Sequence, residues 1–214
     1  MSLEAREISF AYDRSHPLLD AFSLSVAAGE RVAIVASSGA GKTTLCRILA
    51  GYIAPHAGSV LVDGADLAAA DPRSPRPVQL IWQHPEQAFD PRMRMGHSLA
   101  EGAEERSKEQ ALARACTDGL LDAFGIRSEW LSRYPHELSG GELMRFCIAR
   151  ALLARPRYLI CDEISAMLDA VTQAEVWHAL LDRADGTGLG LVIVSHAPAL
   201  LDQVATRRVP LVPA

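Results

Sequence analysis

The sequence predicts an α/β fold with a mostly parallel sheet, an antiparallel β-subdomain at the N-terminus and an inserted α-helical subdomain. Short apolar runs at 31–36, 158–161 and 191–194 end at small or polar residues, which is typical of buried parallel strands. Between about residues 96 and 154 the content of Ala, Leu, Glu and Arg rises while β-branched residues become fewer. That change in composition favours helices, so the helices are expected to interrupt a strand-rich frame.

The first half of the chain is expected to consist mainly of strands. Leu24 and Val26 alternate with serines, which is the period of a half-buried strand. Gly51 ends a helical pattern, and Asp63-Gly64 is typical of a tight turn after a strand. In chain order we expect strands at 23–26, 31–36, 58–62 and 78–82, and a helix at 45–50.

In the second half, a helix near residues 170–183 separates the two later strands, which predicts a β-α-β crossover between parallel neighbours. The 214 residues are expected to form a single domain. Residues 1–95 and 155–214 would hold the core with its β-subdomain, and residues 96–154 would hold the helical subdomain.

Bulk properties exclude several classes of protein. The net charge of −5 and the sequence pI near 5.8 argue against a nucleic-acid partner, since such proteins present a basic surface. The four cysteines show no close pairing, which argues against a zinc site or a disulfide framework. No apolar run approaches the roughly 18 residues that cross a bilayer, and the N-terminus has no signal-peptide core. We therefore expect a cytoplasmic protein.

A phosphate-binding loop is predicted between the strand at 31–36 and the helix that follows. Glycines let backbone N–H groups curl around phosphate oxygens, and the helix start adds its positive dipole end. Lys42 is placed to reach the β- and γ-phosphates, and the Thr43 hydroxyl to bind Mg²⁺. Ala36 stands where the motif has its first glycine, which is tolerated unless φ is positive. The loop comprises Ser38, Gly39, Ala40, Gly41, Lys42, Thr43 and Thr44.

Two carboxylates, Asp162 and Glu163, follow the apolar strand at 158–161. Open α/β sheets place their ligands beyond the carboxyl ends of the strands. Asp162 would hold Mg²⁺ there, and Glu163 would act as general base toward the attacking water. Taken alone, the pair could equally be a solvated turn, and the phosphate loop favours the catalytic interpretation.

Residues Leu138–Glu142 read Leu-Ser-Gly-Gly-Glu at the start of a predicted helix, and Leu138 lies 96 residues after Lys42 and 24 before Asp162. With these motifs in this order, the sequence resembles the ATP-binding-cassette (ABC) ATPases. The resemblance covers nearly the whole chain and implies a P-loop NTPase core, with ATP and Mg²⁺ as cofactors.

The resemblance also assigns roles to single residues. Tyr12 matches the aromatic residue that stacks on adenine. Gln83 matches the glutamine that contacts Mg²⁺ and the attacking water, and His196 matches the histidine that contacts the γ-phosphate. Leu168-Asp169 matches a segment at the dimer interface. Ser139, Gly140 and Gly141 would bind the γ-phosphate of ATP held by a second ATPase subunit, in a homodimer or a heterodimer.

Two further segments, Gln83–Met93 and Tyr134–Glu137, resemble those of peptide and nickel importer ATPases. The resemblance implies an integral membrane permease as partner, an extracytoplasmic solute-binding protein as an indirect partner, and a peripheral location on the inner face of the cell membrane. Two alternatives stay open. One is an ABC ATPase of a cytoplasmic non-transport complex, of the phosphonate-cleaving or cofactor-assembly type, and the other is a nucleotide-sensing module with little hydrolysis.

Overall fold

The computed structural model describes residues 1–13, 16–71, 75–103, 105 and 107–212. The strands are β1 (Ser2–Phe10), β2 (Leu19–Ala27), β3 (Arg31–Val35), β4 (Ala57–Val62), β5 (Ala65–Asp66), β6 (Val78–Ile81), β7 (Tyr158–Asp162), β8 (Gly190–Val194) and β9 (Arg207–Pro210). The helices are α1 (Lys42–Leu49), α2 (Met95–Ala100), α3 (Lys108–Thr117), α4 (Leu120–Ala123), α5 (Gly140–Leu153), α6 (Ala170–Thr187) and α7 (Pro198–Val204).

The chain divides into two compact units. We call residues 1–80, 157–163 and 184–214 the core unit, and residues 81–156 and 164–183 the helical unit. The domain boundaries predicted from the sequence, at residues 96 and 154, stay a prediction. Within the described residues, no helix is long and apolar enough to cross a membrane.

An antiparallel sheet with the strand order β2-β1-β4-β5 forms one layer of the core unit. Its inward positions are apolar, and Leu3, Ile8 and Val26 are fully buried. β4 and β5 are joined by Asp63 (φ 53°) and Gly64 (φ 82°). Two successive left-handed residues match the right-handed twist of a hairpin, which explains the Asp-Gly dipeptide. The predicted antiparallel β-subdomain is confirmed.

The second sheet has the strand order β6-β7-β8-β3-β9, with parallel pairing of β7 to β8, β8 to β3 and β3 to β9. β7 and β8 are buried along their whole length, as expected for central strands covered on both faces. Helix α6 connects β7 to β8, which confirms the predicted β-α-β crossover. The mostly parallel sheet is confirmed as well.

Arg207–Pro210 forms β9 at the edge of this sheet, a strand that the sequence pattern does not mark. The strand is short, carries two exposed arginines and ends in proline, so it has no hydrophobic period to recognise. Pairing with β3 places it there. An edge position also tolerates the proline, which lacks an N–H.

The helical unit contains α2 to α5, residues 170–183 of α6, and short 3₁₀ turns at Pro85–Gln87, Ser128–Ser132 and Pro135–Glu137. α5 carries the main apolar surface, with Phe146, Ile148 and Ala149 fully buried. Its start is set by a capping box, in which Ser139 and Glu142 satisfy each other's backbone N–H groups. This fixes the residues before α5 in place.

Candidate nucleotide-binding site

The loop between β3 and α1 turns through two left-handed glycines, Gly39 (φ 81°) and Gly41 (φ 90°). A Cβ at Gly41 would lie 2.9 Å from Cγ of Leu18. Both the positive φ and the lack of room for a side chain therefore favour glycine at this position. α1 then begins at Lys42, and its first N–H groups point toward the loop, as in anion sites at helix starts.

Lys42 is folded onto this loop and is only 7% exposed. Its Nζ donates to the carbonyl oxygens of Ala36 (3.0 Å) and Ser37 (2.8 Å). The cation therefore stands at the concave side of the loop, held by the loop itself. Ala36 has a negative φ, so alanine in place of the motif's first glycine brings no backbone strain.

Asp162, the last residue of β7, is 4% exposed, and the nearby Thr43 hydroxyl lowers the pKa of its carboxyl. Within the described part of the chain, its Oδ1 has no hydrogen-bond partner. Burial raises the pKa of the Asp162 carboxyl above its ordinary value; the Thr43 hydroxyl opposes this shift, and the neighbouring Glu163 adds to it. A buried carboxylate oxygen without a hydrogen-bond partner is stabilised by a cation.

The oxygen atoms of Asp162 and Thr43 are suitable ligands for Mg²⁺. A carboxylate and a hydroxyl are the hard oxygen ligands that this ion prefers. No group of three or more His, Cys, Asp or Glu side chains able to hold a metal occurs in the described ranges. Nucleotide-bound Mg²⁺ typically takes one or two carboxylates and completes its shell with phosphate and water.

Glu163 follows Asp162 in a left-handed conformation, with φ 54°. Such a backbone costs energy for a residue with a side chain, and it persists where surrounding contacts hold it. Here the Glu163 N–H donates to the Val194 carbonyl (3.0 Å), and the Glu163 Oε1 lies 3.0 Å from Nε2 of His196. Since β7 and β8 are parallel neighbours, both side chains emerge at the same sheet edge.

Tyr12 lies beside the phosphate loop in the core unit. Its hydroxyl is 3.2 Å from the Thr44 hydroxyl, and its ring stands edge-on to Phe10 with centroids 5.0 Å apart. Tyr12 is 69% exposed, so a face of the ring is open to a planar ligand. Ser38 and Gly39 at the loop tip are also exposed, while Ala40 is buried.

The structure thus places most predicted site residues in the core unit: Tyr12, Ser38, Gly39, Ala40, Gly41, Lys42, Thr43, Thr44, Asp162, Glu163 and His196. Gln83 belongs to the helical unit, two residues after β6 ends. Ser139, Gly140 and Gly141 belong to the helical unit as well.

The Ser139 side chain caps α5 by accepting from the Glu142 N–H (3.3 Å), and the Glu142 carboxylate accepts from the Ser139 N–H (2.7 Å). Ser139 and Gly140 are exposed, and a Cβ on Gly140 would meet nothing within 4 Å. A Cβ on Gly141 would lie 3.2 Å from Leu168. The start of this 14-residue helix is therefore exposed, and the positive end of a helix dipole favours anions in general.

Sequence reasoning missed Leu18, whose side chain packs against Gly41. Leu18 lies one residue before β2, outside any periodic segment. A contact between residues 23 positions apart leaves no local signal in the sequence.

The family described as ABC transporter matches residues 19–166. A relative from Sinorhizobium fredii, described as a peptide ABC transporter ATP-binding protein, is 38% identical over 194 residues, covering 86% of this chain and 54% of the relative. A Brucella abortus relative, described as a peptide import ATP-binding protein, is 36% identical over 197 residues, covering 88% and 58%. This chain thus spans little more than half the length of these relatives.

Solved structures agree. An ATP-bound bacterial ABC exporter of the Atm1 family is 30% identical with a TM-score of 0.76, covering 94% of this chain and 35% of the exporter. A dimeric ATP-binding cassette with ADP and phosphate shares the fold with a TM-score of 0.83 at 21% identity, covering 97% of this chain and 93% of the cassette. The predicted P-loop NTPase fold is confirmed, and the chain belongs to the ABC transporter family.

Proposed function

We propose that this chain is the ATP-binding and ATP-hydrolysing subunit that energises a membrane importer of peptides, nickel or similar small solutes. The observation that carries the proposal is the Thr43–Asp162 pair, with its unpartnered carboxylate oxygen, beside a loop that holds Lys42. The descriptions of the Sinorhizobium and Brucella relatives support peptides as the solute class.

The core unit binds the nucleotide. Backbone N–H groups of residues 38–44 and the Lys42 ammonium surround the β- and γ-phosphates, and the exposed face of Tyr12 stacks on the adenine. Thr43 and Asp162 would hold Mg²⁺, which supplies charge neutralisation at the phosphate oxygens when bound.

Glu163 is the general base for hydrolysis, accepting a proton from the attacking water. An Nε2–H on His196 donates to Oε1 of Glu163 at 3.0 Å, which orients the carboxylate until substrate enters. With ATP bound, His196 would contact the γ-phosphate, and Gln83 would contact Mg²⁺ and the attacking water. Hydrolysis then depends on positioning and on stabilising the charge of the transferred phosphoryl group.

A second ATPase subunit completes each site. Ser139, Gly140 and Gly141 present a helix start to the γ-phosphate of ATP held by that subunit, whether it is identical or only related. Two nucleotides then close a head-to-tail dimer, and hydrolysis releases it.

In the cell, the dimer docks on an integral membrane permease at the cytoplasmic face, and an extracytoplasmic binding protein delivers the solute. The test uses a tagged Glu163→Gln chain, which should retain ATP and hold the dimer closed. The chain is expressed in its source cells, purified from solubilised membranes with MgATP, and analysed by mass spectrometry. A Lys42→Ala chain, which should not bind ATP, serves as the matched control.

Recovery of a multi-span permease with Glu163→Gln supports the importer. Recovery of soluble enzymes alone would instead favour a cytoplasmic non-transport complex. Tight MgATP binding by Lys42→Ala would contradict the phosphate-loop assignment. Near-normal ATP turnover by Glu163→Gln would place the general base elsewhere.

A further inference from the structure

We infer that Ser165 is a positioning residue for ATP hydrolysis, which holds residues 164–169, here called the linking segment, in the conformation that aims Glu163. The inference rests on the proposed role of Glu163 as general base. Ser165 does not need to touch ATP, because it acts through the backbone that leaves Glu163.

Ser165 is 6% exposed, and its hydroxyl is the acceptor for two side chains of α6. The Trp177 indole N–H donates to Ser165 Oγ at 3.0 Å, and the Gln173 amide donates at 3.2 Å. Residues 173 and 177 are four apart and lie on one face of α6. A hydroxyl has two lone pairs, so Ser165 satisfies both donors at once.

The other end of the linking segment is tied to the same helix. The Asp169 carboxylate accepts from the N–H groups of Val171 and Thr172, each at 3.0 Å, and from the Thr172 hydroxyl at 2.7 Å. Leu168 lies between the two anchors. Its Cδ2 would be 3.2 Å from a Cβ placed on Gly141, so Leu168 lies close to the start of α5. The segment is thus clamped to the first two turns of α6.

This clamp matters because Glu163 is held in a left-handed backbone (φ 54°). Such a conformation relaxes unless the chain on both sides is fixed. Upstream, Glu163 directly follows β7, and its N–H donates to the Val194 carbonyl. Downstream, Ile164 is buried, and the next residue, Ser165, holds the segment by side-chain hydrogen bonds to α6. Loss of its hydroxyl leaves the buried Trp177 N–H without an acceptor and releases the segment.

The test compares Ser165→Ala with a matched control, Ser98→Ala, in the purified full-length chain. Ser98 is also a buried serine of the helical unit, but its hydroxyl has no partner among the described residues. Steady-state ATPase assays give kcat and KM. Amide hydrogen exchange of the linking segment, measured by mass spectrometry without nucleotide, reports the clamp independently of hydrolysis.

Ser165→Ala should lower kcat about tenfold with KM within about twofold of wild type, because a small misplacement of a reacting group is costly while nucleotide binding is untouched. Its linking segment should exchange faster. Trp177→Phe keeps an aromatic ring but loses the N–H. It should likewise lower kcat while leaving KM within about twofold of wild type. The double variant should lose little beyond the larger single effect, since both changes break one contact.

Wild-type kcat and wild-type exchange in Ser165→Ala would overturn the inference, even if Glu163→Gln is inactive and the proposed function stands. An equal loss in Ser98→Ala would also overturn it, since packing rather than the hydrogen bonds would then be responsible. Full turnover in Glu163→Gln would contradict the proposed function instead, and the exchange data would still decide whether Ser165 clamps the segment.

Discussion

Replacing Asp162 by asparagine should make the nucleotide-free protein more stable while removing its response to Mg²⁺. The carboxylate is 4% exposed, and its Oδ1 has no partner in the described part of the chain. Burial raises the pKa of Asp162, and the attraction of Lys42 and Arg47 does not cancel that effect. The charged form is therefore held in the fold at a cost.

The magnitude follows from that unpartnered oxygen. A buried acceptor without a partner costs about 1–3 kcal/mol, and more when it is charged. The asparagine amide can still accept from Thr43 but leaves an NH₂ unpaired, so the net gain should be about 1–2 kcal/mol. For a chain of this size each kcal/mol shifts Tm by about 2–4 °C, which gives an increase of about 2–8 °C.

The pH dependence has a definite sign. The pKa of Asp162 is higher in the folded chain than its ordinary value of 3.8, so the folded state binds the proton more tightly. The stability that this group contributes falls as the pH rises from the pKa of the unfolded state to that of the folded state. Above the folded-state pKa, the full cost of burying the charged carboxylate is present. The advantage of Asp162→Asn should thus be full at neutral pH and shrink in acid.

Thermal melting in EDTA and in Mg²⁺ with ADP measures both effects. Wild type should gain about 2.7 kcal/mol from a ligand present at a hundredfold its Kd, whereas the variant should lose the part that depends on Mg²⁺. An Asp162→Asn protein that melts at or below the wild-type temperature in EDTA would refute the energetic argument. An unchanged Mg²⁺ response would refute the assignment of Asp162 as a ligand.

Three other substitutions test the loop and the start of α5. Gly41→Ala should cost about 1–3 kcal/mol in urea unfolding and weaken ATP binding in calorimetry, because φ is 90° and the new Cβ meets Leu18 at 2.9 Å. Ala36→Gly should leave the ATP affinity within about twofold, since φ at Ala36 is negative and the loop does not need glycine there. Ser139→Ala should cost about 1 kcal/mol by removing the cap of α5. It should also abolish ATP-dependent dimerisation of Glu163→Gln, followed by light scattering.

Each of these has a contrary result. Wild-type stability and affinity in Gly41→Ala would show that Leu18 moves aside without cost. A tenfold gain in affinity on Ala36→Gly would mean that alanine weakens the loop. Dimers that still form with Ser139→Ala at saturating ATP would remove Ser139 from the composite site.

Most of the strands and motifs predicted from the sequence depend on residue types that are close together in the chain. Strands β3, β7 and β8 are continuous apolar runs, so their positions follow from hydrophobicity alone. The phosphate loop, the helix start at Ser139 and the Asp63-Gly64 turn depend on residue types at short spacing. In each case the physical cause acts within a few residues of the pattern.

The sequence by itself determined the fold class, the family and the residue types of the site, because glycine conformations, helix starts and buried strands are local properties. Only the tertiary structure decided that Asp162 meets Thr43, that His196 meets Glu163, and that Ser165 accepts from Trp177. It also placed β9 on β3, where no apolar period marks a strand. These contacts form when segments distant in sequence pack together. A local sequence pattern does not indicate which distant residues will be in contact.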